Sequence, residues 1–119
     1  MSRIEMVISD FGGVLTTPLF EAFASFQDQV GIPPKSFGLA MKAIAEKGEP
    51  NPLFELECGR ITELEFQQRL AAALEPVLGH RPEIESFGML LFEALDPNPG
   101  MIDLIREVRR DGFRTSLLT

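Results

Sequence analysis

The 119-residue chain has no tryptophan and no tyrosine, one cysteine and one histidine. A single cysteine, Cys58, excludes an internal disulfide and suits a reducing compartment. His80 has no second histidine or cysteine near it in sequence, so the "GHRP" loop is not a metal-ligand cluster. Basic residues are scarce: 11 Lys and Arg stand against 18 Asp and Glu, for a net charge of −7. That balance repels nucleic acid and anionic membranes, and it repels a phosphate substrate too unless a cation stands between them. No apolar run approaches the ~20 residues of a membrane helix. The start, "MSRIEMVISD", is too short and too acidic for a signal peptide, and we expect a cytoplasmic protein. What remains is ordinary: 45% hydrophobic and 24% charged residues, enough for one domain that removes about 65% of its unfolded surface from water.

Two ends of the chain predict strands. Residues 3–9 read as a short strand whose apolar run, Met6-Val7-Ile8, is continuous rather than alternating, as in a parallel strand covered on both faces. Residues 113–119, "FRTSLLT", return to that pattern after Gly112. Between them the breakers and apolar spacings predict helices. Leu19, Phe23, Phe26 and Val30 share one face, ending at Gly31. Pro33-Pro34 opens a second helix with Phe37, Met41 and Ile44 on one side and Gly48 past its end. A short helix over 52–58 ends at Gly59, and Cys58 is expected to pack within it. "TELE", residues 62–65, is a capping box with Thr62 as N-cap and Glu65 reaching back. Phe66, Leu70, Ala73, Leu74 and Val77 follow on one face. Ile84, Phe87, Leu91 and Leu95 mark a further helix. "DPNPG", residues 96–100, breaks the chain. Met101, Ile105 and Val108 then mark the last helix, with Arg106, Arg109 and Arg110 suiting its C-terminal half. The ten phenylalanines fall mostly on these stripes and read as core, and Lys42 and Lys47 read as ordinary surface charges.

The expected fold is α/β: a parallel core from residues 1–17 and 96–119, with a helical insert over 18–95. In such sheets ligands bind beyond the carboxyl ends of the strands, and the first strand ends at Asp10 in "VISDFGGVLTTP". The Phe11-Gly12-Gly13 backbone can turn tightly and offer N–H groups to an anion. A carboxylate beside such amides calls for a divalent cation, and Mg²⁺ prefers carboxylate and phosphate oxygens. Asp10 is then a metal ligand, a nucleophile, or both. Thr119, at the end of the second strand, arrives at the same edge, where its hydroxyl can bond a phosphate oxygen. The plainer alternative is that Asp10 only caps a turn.

"VISDFGGVLTTP", the helical insert and "GFRTSLLT" together resemble the haloacid dehalogenase superfamily of phosphotransferases. "ECGRITELEF", residues 57–66, is similar to a cap segment of the branch that holds the amino-terminal phosphatase domain of soluble epoxide hydrolase. The resemblance implies a partial Rossmannoid core with an α-helical cap that selects substrates. It implies that Asp10 is the nucleophile and, with the backbone carbonyl of Gly12, a Mg²⁺ ligand. It implies that the amides of Phe11 and Gly12 line the phosphoryl pocket, and that Thr119 is the second-motif hydroxyl. Arg60 either faces solvent or reaches the cleft from the cap.

Two departures stand out. Gly12 occupies the position where many such phosphatases carry an acid–base aspartate, a group worth ~10²–10⁴-fold in rate. The family's later lysine and acidic pair are not in residues 1–119, and we expect a chain truncated after the second motif, whose natural continuation supplies them. On that expectation the chain alone is an incompetent phosphatase for a small phosphorylated metabolite. Halide displacement by Asp10 is a second expectation, disfavoured by Gly12. A non-catalytic binding module is a third. Two strands make a marginal sheet, and a homo-oligomer through the exposed sheet edges is expected.

Overall fold

In a computed structural model, which describes residues 3–119, six helices and two parallel strands form a mixed α/β chain. The order is β1 (Met6–Asp10), α1 (Leu19–Gln29), α2 (Pro34–Glu46), α3 (Pro52–Glu57), α4 (Glu63–Leu78), α5 (Phe87–Glu93), α6 (Pro99–Arg110) and β2 (Arg114–Leu118). The chain divides into two compact units: one runs up to Ala22 and resumes over Glu93–Thr119, and the other is Phe23–Phe92.

In the first unit β1 and β2 pair in parallel, from Met6 opposite Arg114 to Asp10 opposite Leu118. Helix α6 packs against β2 and carries the chain back to the start of the sheet. Asn98 caps α6 through its side chain, which accepts from the Met101 N–H, and Pro99 occupies the first turn. The helix therefore begins inside the segment that sequence reads as a break.

The expectation of a strand buried on both faces fails. Val7, Ser9 and Thr115 are shielded, but Ile8 is 61% exposed and Leu118 is 67% exposed. The described residues supply one helical layer, α6, and nothing over the face that carries Met6, Ile8 and Leu118. A continuous apolar run records what a strand can bury, not what covers it.

The second unit is a helical cluster whose core holds Phe26, Ile32, Ala40, Ile61, Phe66, Leu70, Leu74, Ile84 and Phe87. Phe87 is its aromatic hub, edge-on to Phe26 at 5.0 Å and tilted against Phe66 at 4.6 Å between ring centroids. Buried Gln27 donates from Nε2 to the carbonyls of Pro33 and Pro34 at 3.3 and 3.1 Å, which satisfies its amide at the start of α2. Helix α4 carries the predicted capping box. The Glu65 N–H donates to Thr62 Oγ1 at 3.2 Å and the Thr62 N–H to Glu65 Oε2 at 2.8 Å. It ends at left-handed Gly79, φ 78°.

Two expectations in this unit need correction. Cys58 is exposed, because it terminates α3 as the C-cap and does not enter the packed face. The helix expected from Ile84 begins only at Phe87, after Ser86 at φ 54°. Its first N–H groups are satisfied from α4: Phe87 N–H donates to Gln67 Oε1 at 2.9 Å, and Gly88 N–H to Glu63 Oε1 at 2.8 Å. Ile84 is buried from an irregular segment instead.

Candidate functional site

Asp10 is the last residue of β1 and is exposed at the carboxyl end of the sheet. Ser9 Oγ donates to the Asp10 carbonyl at 2.8 Å, and the Phe11 N–H donates to Asp10 Oδ1 at 2.7 Å. The carboxylate is thus held by the first amide of its own loop. The chain then folds over on itself, and the N–H groups of Val14 and Leu15 both donate to the Phe11 carbonyl, at 3.2 and 2.9 Å. Gly13 makes this possible at φ 77°, and its N–H donates to buried Thr16 Oγ1 at 2.9 Å.

Gly12 sits against Leu19. A Cβ there would lie 3.0 Å from Leu19 Cδ2, inside ordinary contact distance. A side chain at position 12 would make the Leu19 side chain give way by a few tenths of an ångström. The Gly12 N–H and carbonyl make no hydrogen bond among the described residues. Of the two amides expected to face an anion, Phe11 is committed to Asp10 and Gly12 is available.

The loop is stapled to the start of α6. Thr16 and Pro97 form an antiparallel bridge, with the Thr17 N–H donating to the Asp96 carbonyl and the Asn98 N–H to the Leu15 carbonyl, both at 2.8 Å. The Asp96 N–H donates to Thr17 Oγ1 at 3.1 Å, and Asn98 Nδ2 reaches the Val14 carbonyl at 3.3 Å. Sequence reasoning missed Asn98, which both caps α6 and pins the loop. The available signal was the Asn-Pro pair that commonly opens a helix.

Parallel pairing brings the other end of the chain to the same edge. Leu118 stands opposite Asp10, and Thr119 follows it, exposed. Asp10, Phe11, Gly12 and Thr119 therefore share the carboxyl end of one sheet. Arg60 belongs to the helical unit. Its Nη1 lies 2.8 Å from Glu55 Oε1, and that hydrogen bond and charge raise the guanidinium further above its ordinary range.

The charge around Asp10 is one-sided. The unit that holds it contains no lysine. Arg3 and Arg114 stand at the starts of the strands, with Arg109 and Arg110 at the end of α6, which leads to the start of β2. In a parallel pair these are at the opposite end from Asp10. No group of three or more His, Cys, Asp or Glu residues capable of holding a metal occurs among the described residues. One exposed carboxylate and the free Gly12 carbonyl suit a water-rich Mg²⁺ site, since Mg²⁺ keeps several waters and often uses one or two carboxylates. They do not make a closed cage. No helix among the described residues is long and apolar enough to cross a membrane. Compared with known proteins, the chain matches no family model and no curated sequence.

Proposed function

We propose that Asp10 is the phosphoryl-accepting nucleophile of a phosphatase of the haloacid dehalogenase type, acting on a small phosphomonoester. One observation supports this above the others: an exposed carboxylate ends a parallel strand beside a tight turn with a free Gly12 amide, where open α/β sheets bind their ligands. The resemblance of "VISDFGGVLTTP" and "GFRTSLLT" to that superfamily supports the same reading.

In the proposed reaction an Asp10 carboxylate oxygen attacks phosphorus and forms the aspartyl-phosphate. The bond from phosphorus to the leaving oxygen breaks, and the leaving group departs with that electron pair. Water then attacks phosphorus, the bond to Asp10 breaks, and inorganic phosphate and the carboxylate are regenerated. The Asp10 carboxylate and the Gly12 carbonyl would hold Mg²⁺, which would supply charge neutralisation at the phosphoryl oxygens. The Gly12 amide and the Thr119 hydroxyl donate to those oxygens.

Gly12 carries no acid–base group, so the leaving group departs unprotonated and the attacking water is not activated from that position. Both steps are slow for this chain, and no cation of its own unit stands at the Asp10 edge. Donors whose leaving group needs no proton, such as acetyl phosphate, are the ones that react. The slow second step lets the aspartyl-phosphate accumulate. The test is hydroxylamine-sensitive labelling by radioactive acetyl phosphate with Mg²⁺. Asp10→Asn is expected to abolish the label, and equal labelling of that variant contradicts the proposal. The missing cation favours one other reading, a non-catalytic binding module. It requires that the chain take no hydroxylamine-sensitive label under the same conditions.

A further inference from the structure

The helical unit carries a second set of groups that the proposed reaction does not use. A groove of about 440 Å³ lies between the C-terminal end of α2, the turn after it and the middle of α4. This is within the range of ligand-sized sites. Ile44, Pro52 and Ala73 line its apolar part, and Lys47, Glu49 and Arg69 line its polar part.

Two cations line this groove in an acidic chain. Five of the eleven basic side chains have an acidic partner within 4 Å: Lys42 has Glu46, Arg60 has Glu55, Arg81 has Glu75, Arg106 has Asp103 and Arg114 has Glu5. Lys47 and Arg69, like Lys35, Arg109 and Arg110, have none among the described residues, and of these five only Lys47 and Arg69 line the groove. The cause is local. Glu65, one turn before Arg69, gives its carboxylate to the Thr62 N–H in the capping box. Glu46, beside Lys47, pairs with Lys42.

We infer that this groove binds a small monocarboxylate with a short aliphatic body. Lys47 and Arg69 against Glu49 leave one net positive charge, which matches a monoanion and disfavours a phosphate dianion. The planar guanidinium of Arg69 suits a carboxylate in bidentate fashion, with Lys47 as a second point charge. The aliphatic body takes the place of water over Ile44, Pro52 and Ala73. This site is independent of Asp10 and of the phosphatase reading.

The test is titration of the isotopically labelled chain with octanoate by amide NMR, beside octanol and inorganic phosphate. Octanoate is expected to give saturable shifts confined to the end of α2 and to α4, with octanol and phosphate at least tenfold weaker. Arg69→Gln and Lys47→Gln, both exposed changes, are expected to weaken octanoate about tenfold each while leaving the spectrum folded. Ala73→Leu is expected to abolish binding by filling the floor. Equal affinity for octanol, unchanged binding in Arg69→Gln, or shifts centred on the sheet would each overturn the inference.

Discussion

Thr62→Ala removes one half of the α4 capping box and exposes the scaffold of the helical unit to measurement. Thr62 Oγ1 accepts the Glu65 N–H at 3.2 Å, a donor with no partner inside the helix. Loss of such a cap costs about 1 kcal/mol, within a range of about 0.5–2. Unfolding entropy is about 2.1 cal/mol/K per residue. Unit Phe23–Phe92, about 70 residues, therefore has an unfolding entropy of about 0.15 kcal/mol/K, and the substitution lowers Tm by about 7 °C if that unit melts by itself. If all 119 residues melt together, the same loss moves Tm by only about 4 °C. Calorimetry of both proteins at pH 7 reads the shift directly. Glu65→Gln separates charge from hydrogen bonding. The hydrogen bond from the Thr62 backbone N–H holds the Glu65 carboxylate below its ordinary pKa of 4.5. A carboxyl group whose pKa is lowered by folding stabilises the fold above its unfolded value and loses that contribution as pH falls through the folded value. The wild type is thus expected to exceed Glu65→Gln at pH 7, and the difference is expected to close as pH drops below 4.5. A Tm change under about 1 °C for Thr62→Ala, or a gap that widens in acid, refutes the reasoning.

Leu70→Ala, at a fully buried position of the same helix, is expected to cost about 2–5 kcal/mol, measured by urea unfolding at unchanged m-value. Gly12→Ala is expected to lower stability, because its Cβ meets Leu19 Cδ2 at 3.0 Å. In a Leu19→Ala background that penalty disappears, and a double-mutant cycle reads a coupling of about 0.5–3 kcal/mol. Steady-state release of p-nitrophenol from p-nitrophenyl phosphate by the chain alone is expected to stay near background with Mg²⁺, since neither an acid–base group at position 12 nor a cation of the same unit assists. Robust turnover contradicts that.

What sequence could tell depended on how far apart the interacting groups lie. The capping box of Thr62 and Glu65 spans three residues, and both of its hydrogen bonds are present. The parallel pair follows from two apolar runs joined through a helix, and Asp10 stands at its carboxyl end with Thr119 following its partner strand. The start of α5 was not legible. Its first amides bond Gln67 and Glu63 on another helix, so the helical spacing from Ile84 described burial without describing helix. The exposure of Ile8 and Leu118 was hidden for a related reason: an apolar strand carries no mark of its covering layer. The residue type of Cys58 suggests packing, but its place as the C-cap after a short helix leaves it exposed. Arg60 was weighed as solvent-facing or cleft-facing, while Glu55, five residues earlier, holds it. The staple of Thr16, Thr17 and Asn98 joins residues some 80 positions apart, beyond the reach of local pattern.

The central claim is that Asp10 accepts a phosphoryl group. Mass spectrometry of the chain after incubation with acetyl phosphate and Mg²⁺, followed by borohydride reduction, tests it most directly. An acyl phosphate at Asp10 is reduced to homoserine, and the account predicts that conversion at position 10, dependent on Mg²⁺. Reduction at other carboxylates in equal measure, or an unmodified Asp10 after full incubation, would contradict it.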